Sequence, residues 1–211
     1  MDLTGPVVGV LLAGGRSSRM GGGDKCLRPL GGEPILTRII DRLGPQVSEI
    51  VLNANGDASR FAAFGLPAVE DSIAGFNGPL AGVLAGIEWV TANRPRTDYV
   101  VTVATDTPFF PTDLVQRFLA EANDAFKFLV AQSAEGTHPV VGLWPVKLAA
   151  ELKASLERGD RKVTSWVRDH GAVDVFFPPV DVGGTQVDPF FNINKPEDLA
   201  AAEALIGLDA P

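Results

Sequence analysis

The chain has 211 residues, of which 45% are hydrophobic, and carries a formal net charge of −8 at pH 7. This length suits one domain with a core of its own, and the apolar content is too high for a disordered protein. An acidic surface repels phosphate backbones, which excludes nucleic acid as an expected partner, and the absence of an apolar stretch near the roughly 20 residues that span a bilayer excludes a membrane role.

The cellular compartment is indicated by the cysteine content and by the first residues. Cys26 is the only cysteine, so no internal disulfide can form, which is typical of a reducing compartment. Residues 1–6 contain no basic residue ahead of the first apolar run and do not read as a signal peptide. We therefore expect a cytoplasmic protein.

The first half of the chain alternates predicted strands with predicted helices. Val7–Leu12 is a continuous apolar run that ends in glycines, as expected for a buried strand of a parallel sheet. A helix is predicted from Pro34, because apolar residues then recur at helical spacing as far as residue 43. Further strands are predicted at Glu49–Asn53 and 66–69, and a further helix at 79–90.

The second half continues the alternation. Tyr99–Ala104 is another apolar strand, and Thr112 is the expected N-cap of the helix that follows it. Asn194 is expected to cap the last helix, with Pro196 in the first turn and Glu197 at the capping-box position. Between them we predict strands at 126–131, 140–144 and 173–177, and helices at 146–156 and 162–168.

The order of these elements predicts an α/β fold with a mostly parallel sheet, in a single domain over residues 1–211. Ligands of open α/β sheets bind outside the carboxyl ends of the strands. The loops of interest therefore follow Leu12, Asn53, Val69 and Ala104.

The loop between Leu12 and Lys25 is the strongest indication of chemistry. Its glycines let the backbone approach a ligand and direct amide groups toward phosphate oxygens. Residues 16–28 hold four basic residues against one aspartate, and Arg19 and Lys25 add charge where a triphosphate would lie. The loop has neither the P-loop pattern nor the dinucleotide fingerprint. A solvated glycine loop with basic side chains is the alternative interpretation.

Three polar residues follow the ends of other predicted strands. Asp106 comes just after an apolar strand, and a hard carboxylate there suits Mg²⁺, which binds through one or two carboxylates plus substrate phosphates. Asn53 and Asp71 offer groups that can hydrogen-bond a base edge or ribose hydroxyls. For all three, an ordinary turn residue is the alternative.

The remaining thiol and imidazoles do not indicate a second kind of site. Cys26 is expected to be a bystander thiol and not a nucleophile. His138 and His170 are too few and too far apart to form a zinc site with one cysteine, and His138 before Pro139 is interpreted as structural.

The motifs of the first loop resemble a known superfamily. Leu12-Ala13-Gly14-Gly15, Arg19-Met20-Gly21-Gly22 and Asp24-Lys25 are similar to the signature loop of nucleotidyltransferases built on a Rossmann-like sheet. Within that superfamily the chain resembles the molybdenum cofactor guanylyltransferases over nearly its full length. The further motifs, in family order, are Asn53-Ala54-Asn55, Glu70-Asp71-Ser72, Gly78-Pro79-Leu80-Ala81-Gly82, Asp106-Thr107-Pro108-Phe109, His138-Pro139, Gly159-Asp160-Arg161-Lys162-Val163 and Asn192-Ile193-Asn194-Lys195-Pro196-Glu197-Asp198-Leu199.

The resemblance implies a three-layer sandwich, with a mostly parallel Rossmann-like sheet flanked by helices, and a set of site residues. It implies Mg²⁺ on Asp106; the preceding residue, commonly cysteine in the family, is Thr105 here, which should not affect coordination. The catalytic residues implied are Arg19, Lys25 and Asp106. The GTP-binding residues implied are Leu12, Ala13, Gly14, Gly15, Lys25, Asn53, Asp71 and Asp106. The acceptor-binding residues implied are Gly82, Arg161, Asn192 and Asn194.

The reaction that the resemblance implies is transfer of GMP from GTP to the terminal phosphate of molybdenum–molybdopterin, with release of pyrophosphate. Transient contacts with molybdoenzymes or cofactor-insertion proteins are expected. The choice of guanine over cytosine follows from resemblance alone, so a cytidylyltransferase using CTP, or a transferase for another small acceptor, stays open. A nucleotide- and cofactor-binding delivery module without turnover is the alternative from another class.

Overall fold

The computed structural model describes residues 6–13, 23–73, 78–122 and 127–207. The strands are β1 Val7–Leu12, β2 Pro29–Leu30, β3 Glu33–Pro34, β4 Glu49–Asn53, β5 Ala68–Val69, β6 Tyr99–Ala104, β7 Leu129–Ser133, β8 Gly136–Pro145, β9 Val173–Phe176, β10 Val180–Val182 and β11 Thr185–Val187. The helices are α1 Ile35–Leu43, α2 Pro79–Asn93, α3 Leu114–Ala122, α4 Ala149–Glu157, α5 Val163–Asp169 and α6 Pro196–Gly207.

A seven-stranded sheet in the order β5-β4-β1-β6-β8-β7-β9 forms the centre of the fold. β1 pairs in parallel with β4 and β6, and β4 with β5. β8 is antiparallel to both of its neighbours, β6 and β7, whereas β7 and β9 are parallel to each other. The predicted mostly parallel sheet is thereby confirmed, and β8 is the one reversed strand of this sheet.

Helices cover both faces of the sheet, because the sheet carries apolar side chains on both sides. In β1, Val7 and Leu11 face a core shared with α1, α3 and α6, whereas Val8 and Val10 face a core shared with α2, α4 and α5. Between Val7 and Leu11, a Cβ on Gly9 would lie 2.8 Å from a Leu43 methyl carbon, so α1 packs directly on the strand. This three-layer arrangement confirms the expected sandwich.

The reversed strand β8 contains an irregularity at the carboxyl edge of the sheet. Opposite Val130 stands Gly142, yet opposite the next residue, Ala131, stands His138. Residues 139–141 therefore bulge out of the ladder. The Thr102 hydroxyl donates to the Val140 carbonyl at 2.6 Å and accepts from the Trp144 indole at 2.8 Å, which ties the bulge to β6. Bulges of this kind redirect side chains beside functional sites.

Several local elements differ from the prediction. The strand predicted at 140–144 is twice as long and begins at Gly136, and the one predicted at 126–131 is β7, at Leu129–Ser133. Residue 126 lies outside the described residues. The helix predicted at 146–156 begins with a 3-10 turn, Val146–Leu148, before α4. The small hairpins β2–β3 and β10–β11 have no periodic apolar pattern and were not predicted.

The start of α6 corrects one capping assignment. The Asp198 carboxylate accepts from the backbone amides of Asn194 and Lys195, at 2.8 and 2.9 Å. Asp198 and not Glu197 therefore pairs with the free amides just before the helix. The Asn194 side chain, expected to cap this helix, accepts a hydrogen bond from Lys25 instead. Glu197 and Asp198 both fit the capping-box pattern in the sequence. Only the tertiary contact between Asn194 and Lys25 distinguishes the two assignments.

Candidate active site

A cleft of about 1060 Å³ opens at the carboxyl edge of the parallel strands. Its walls come from the ends of β1, β4 and β6, from the first part of β8 and from the segment before α6. This is the position at which open α/β sheets bind ligands. The strand-end rule thus led to the part of the surface that holds this cleft, and the volume is that of a small-molecule site.

Lys25 and Asp106 form the centre of this cleft. Lys25 begins a 3-10 turn after the first loop, and its Nζ donates to Asp106 Oδ2 at 2.6 Å and to Asn194 Oδ1 at 2.8 Å. The two charged side chains are only 15% and 21% exposed. Partial burial strengthens the attraction of a cation for phosphate oxygens, because water screens it less.

The Asp106 carboxylate is held by the segment that precedes α6. The backbone amide of Ile193 donates to the Asp106 carbonyl at 2.9 Å. The Asn192 side-chain amide donates to both carboxylate oxygens, at 2.8 and 2.5 Å, in the orientation that satisfies both groups. Asn192 and Asn194, predicted for the acceptor side, thus join Lys25 and Asp106 in one hydrogen-bonded cluster.

A second polar cluster lies on the β4 side of the cleft. Asn53 is 2% exposed, and its Nδ2 donates to Asp71 Oδ1 at 3.0 Å. Asn55 donates to Asp71 Oδ2 at 2.8 Å and accepts from the Asp71 amide at 2.9 Å. These bonds fix the Asp71 carboxylate, which lines the cleft. Asn55 was quoted in a motif but not predicted as a site residue, because nothing in the local pattern distinguishes it from a turn residue.

Leu12 and Ala13 form the floor between the two clusters. The Ala13 amide donates to the Asn53 carbonyl at 2.9 Å, and the Thr105 hydroxyl donates to the Leu12 carbonyl at 3.2 Å. The floor is therefore bonded to both neighbouring strand ends. The other residues predicted for this loop, Gly14, Gly15 and Arg19, lie outside the described residues.

Gly82 lies behind Asn53, in the first turns of α2. A Cβ at Gly82 would be 2.2 Å from Asn53 Oδ1 and 2.9 Å from Leu12 Cδ2. Only glycine lets the helix pack this closely on the strand ends. Both of its neighbours, Asn53 and Leu12, are residues predicted for the nucleotide.

Arg161, the fourth residue predicted for the acceptor, is exposed at the rim. Its carbonyl lies 4.0 Å from the position of a Cβ on Gly78, a residue of the cleft wall. The predicted acceptor set is therefore divided among three places: the Asp106 cluster, the packing behind Asn53 and the rim of the cleft.

The first part of β8 forms the wall opposite the Asn53 cluster, through residues 137–141. His138 Nε2 is 2.8 Å from Ser133 Oγ, and the imidazole ring centroid is 4.6 Å from that of Phe190. Burial lowers the pKa of His138 below its ordinary value, although Asp188 and Glu135 act in the opposite direction. The residue interpreted as structural is thus both packed and part of the cleft wall.

Cys26 lies at the base of the cleft and is buried. Burial raises the pKa of its thiol to about 11, and the hydrogen bond with Thr105 offsets only part of that effect. The thiol is therefore protonated at neutral pH, which agrees with the interpretation as a bystander and not a nucleophile.

Metal ligands are sparse in the part of the chain that the structure describes. Those residues contain no group of three or more His, Cys, Asp or Glu side chains arranged around a common point. Asp106 is consequently a single carboxylate with amide neighbours, and any cation there needs oxygen ligands from a substrate.

Comparison with known structures identifies the fold. The structure of molybdopterin-guanine dinucleotide biosynthesis protein A from Archaeoglobus fulgidus matches with a TM-score of 0.74 and 21% identity, over 95% of this chain and 99% of that one. The 4-diphosphocytidyl-2C-methyl-D-erythritol synthase of Anaerococcus prevotii matches with a TM-score of 0.70 and 14% identity, over 96% of both chains. This chain therefore shares the fold of these two structures.

Sequence relatives specify the family. The molybdenum cofactor guanylyltransferase of Nitrobacter hamburgensis is 48% identical over 206 residues, which is 97% of this chain and 96% of the relative. That of Mesorhizobium japonicum is 48% identical over 202 residues, 95% of this chain and 96% of the relative. The MobA-like NTP transferase domain matches residues 9–174. The chain belongs to the MobA-like NTP transferase family, so the resemblance inferred from the motifs is confirmed.

Proposed function

We propose that this protein transfers GMP from GTP to the terminal phosphate of molybdenum–molybdopterin, forming the guanine dinucleotide cofactor and pyrophosphate. The observation that carries the proposal is the partly buried ion pair of Lys25 and Asp106 in the strand-end cleft. The relatives named molybdenum cofactor guanylyltransferase, nearly half identical over almost the whole chain, support guanine and this acceptor over CTP or another small acceptor.

The two substrates would occupy opposite ends of the cleft. Lys25 has two hydrogen-bond partners and lies where the triphosphate would meet the first loop. The cluster of Asn53, Asn55 and Asp71 presents amide and carboxylate groups suited to ribose hydroxyls or a base edge. The β8 wall with His138 then faces the acceptor.

The chemistry is an in-line displacement at phosphorus. A terminal phosphate oxygen of the acceptor forms a bond to the α-phosphorus of GTP, and the bond from that phosphorus to the oxygen bridging to the β-phosphate breaks. Pyrophosphate carries away the electron pair, so no protein nucleophile is needed, and the protonated Cys26 takes no part. Positioning and charge neutralisation by Lys25 are the contribution of the protein. Arg19 and the amides of Gly14 and Gly15 are proposed to assist.

Mg²⁺ is the proposed cofactor, with Asp106 as its protein ligand. The residues fit this ion because it accepts one carboxylate supplemented by substrate phosphates and water, and the Asn194 amide oxygen lies nearby, on Lys25. Bound there, the ion would supply positive charge to phosphate oxygens. The Lys25 ammonium neutralises the same carboxylate and would then turn toward the substrate.

The setting of the enzyme is also part of the proposal. Within the described ranges, none of the helices is long and apolar enough to cross a membrane. The buried, unpaired thiol of Cys26 is compatible with a reducing cytoplasm. We propose one nucleotidyltransferase domain over residues 1–211, with no nucleic-acid or membrane partner and with transient contacts to molybdoenzymes or cofactor-insertion proteins.

The proposal is tested by incubating the purified protein with molybdopterin-bound cofactor, Mg²⁺ and each of the four α-labelled triphosphates in turn. We expect label from GTP in the cofactor, pyrophosphate in equal amount, and no turnover in EDTA. Label from CTP alone would establish a cytidylyltransferase instead. Tight GTP binding without pyrophosphate would establish a binding module.

A further inference from the structure

The Arg60 side chain connects two segments of the cleft that are distant in sequence. Its Nε donates to Asp24 Oδ2 at 2.6 Å, and one terminal nitrogen donates to the Asn55 carbonyl at 2.8 Å. The other terminal nitrogen donates to the Asp57 carbonyl, and the guanidinium carbon lies 4.6 Å from the centroid of the Phe61 ring. The planar guanidinium group thus has its orientation fixed by several independent contacts.

Two of these contacts, those to Asp24 and Asn55, lead to predicted substrate-binding groups. Asp24 directly precedes Lys25, which holds Asp106. Asn55 fixes the Asp71 carboxylate. Arg60 therefore joins the end of the first loop to the polar cluster beyond β4, although nothing in the local sequence around residue 60 indicates a site.

The charge of Asp24 gives this contact a chemical consequence. Asp24 lines the same cleft as Lys25, and a carboxylate there would repel a triphosphate. The carboxylate is paired with Arg60, and the two side chains are only 22% and 28% exposed, so water screens the pair incompletely. Without Arg60 the adjacent positive charge of Lys25 would be partly offset by Asp24.

We propose that Arg60 is a positioning residue for the nucleoside triphosphate: it neutralises Asp24, so that the positive charge of the adjacent Lys25 stays available to the triphosphate. This inference rests on the proposed function, since it takes Lys25 as a contact of the triphosphate. Arg60 acts through Asp24, so its effect is on triphosphate binding and not on the chemical step.

The test compares wild-type protein with Arg60→Met, Asp24→Asn and the double variant Asp24→Asn/Arg60→Met. Arg94→Met is the matched control, because Arg94 also pairs through Nε with a carboxylate, Glu49, at 2.7 Å and lies 5.5 Å from a ring centroid, that of Trp89. Its partner Glu49 begins β4, at the other end of the strand from Asn53. Affinity for GTP with Mg²⁺ is measured by calorimetry, KM and kcat by pyrophosphate release, and folding by thermal unfolding.

We expect Arg60→Met to weaken GTP binding and raise its KM about tenfold, as for the loss of hydrogen bonds to a charged group, with kcat within about threefold of wild type. The double variant is expected to recover to within about threefold of wild type, because it lacks the unpaired carboxylate. Asp24→Asn is the reference for the double variant, and Arg94→Met should bind GTP like the wild type. If Arg60→Met does not fold, Arg60→Lys takes its place in the same series, with a smaller loss expected.

The inference is overturned if the Arg60 variant binds GTP as tightly as the wild type. It is equally overturned if the double variant binds as weakly as Arg60→Met, since the guanidinium would then act directly on the ligand or only on the fold. A wild-type protein that neither binds GTP nor releases pyrophosphate would overturn the proposed function instead, so the two failures are distinguishable.

Discussion

Lys25 and Asp106 are 81 positions apart in sequence, yet Lys25 Nζ lies 2.6 Å from Asp106 Oδ2. The parallel pairing of β1 with β6 sets Leu12 opposite Ala104, so the loop that leads to Lys25 starts beside the strand end that Asp106 follows. The cation and the carboxylate thereby neutralise each other in the free protein. A phosphate that enters the cleft meets a cation already in place.

Gly82→Ala tests the packing behind Asn53. The added methyl would lie 2.2 Å from Asn53 Oδ1 and must displace that side chain or the helix. We expect the free energy of unfolding to fall by about 1–3 kcal/mol, as for overpacked cores, and GTP affinity to fall with it. Urea unfolding and calorimetric titration with GTP measure the two effects.

Gly44→Ala is the control for that substitution, because a Cβ at Gly44 has no heavy atom within 4 Å and its φ of −52° is open to alanine. Its unfolding free energy should stay within about 0.5 kcal/mol of wild type or rise slightly. A Gly82→Ala protein with wild-type stability and GTP affinity would show that α2 does not support Asn53.

His138→Ala tests the acceptor wall. His138 lies on the β8 side of the cleft, away from the Asn53 cluster, so its loss should raise KM for the molybdopterin acceptor about tenfold while GTP affinity changes less than about twofold. His170→Ala is the control, since that imidazole is also stacked on an aromatic ring, at 3.9 Å from Trp166, and does not line the cleft. An equal rise in KM for both substrates would contradict the assignment of this wall to the acceptor.

The raised pKa of the Cys26 thiol predicts how the stability of the protein depends on pH. Its folded-state pKa is about 11, above the ordinary value of 9.0, so between these values the unfolded chain has lost the thiol proton and the native protein has kept it. Unfolding then releases a proton, and stability falls as pH rises from about 9 to 11, by at most about 3 kcal/mol. In Cys26→Ala this part of the decline should vanish, while GMP transfer at pH 7.5 stays within about threefold of wild type.

Urea unfolding of the two proteins at several pH values checks this expectation. If the free energy of unfolding falls equally with pH in wild type and in Cys26→Ala, the thiol ionises with its ordinary pKa. A large loss of transfer in a folded Cys26→Ala protein would mean that Cys26 takes part in the reaction.

The fold was largely predictable because its signals are local. Apolar runs such as Val7–Leu12 and Tyr99–Ala104, alternating with amphipathic helices, identify a parallel sheet, and the strand-end rule then places Asp106 and Asn53 at one edge. The reversed direction of β8 was not predictable, because the direction of a strand is set by its tertiary neighbours. Its bulge is bonded to β6 by one buried hydroxyl, that of Thr102.

Site residues that directly follow a strand were predictable from the sequence. Residues whose role depends on a partner distant in sequence were not. Asn194 illustrates this difference: its helix-cap signal is real, but Lys25, 169 positions earlier, takes its side-chain oxygen. Arg60 and Asn55 have the opposite history: they carry no local signal, yet they contact Asp24 and Asp71 in the cleft.

Transfer of GMP by Lys25→Ala is the most direct test of the proposed mechanism. The measurement is the initial rate at which α-labelled GTP labels the molybdopterin cofactor in the presence of Mg²⁺, for wild type and for the variant, with thermal unfolding as the check on folding. We predict a wild-type protein that incorporates the label with equimolar pyrophosphate, and a folded variant slower by about 100- to 1000-fold, as for removal of a donor to developing phosphate charge. A folded Lys25→Ala protein that labels the cofactor at the wild-type rate would contradict it.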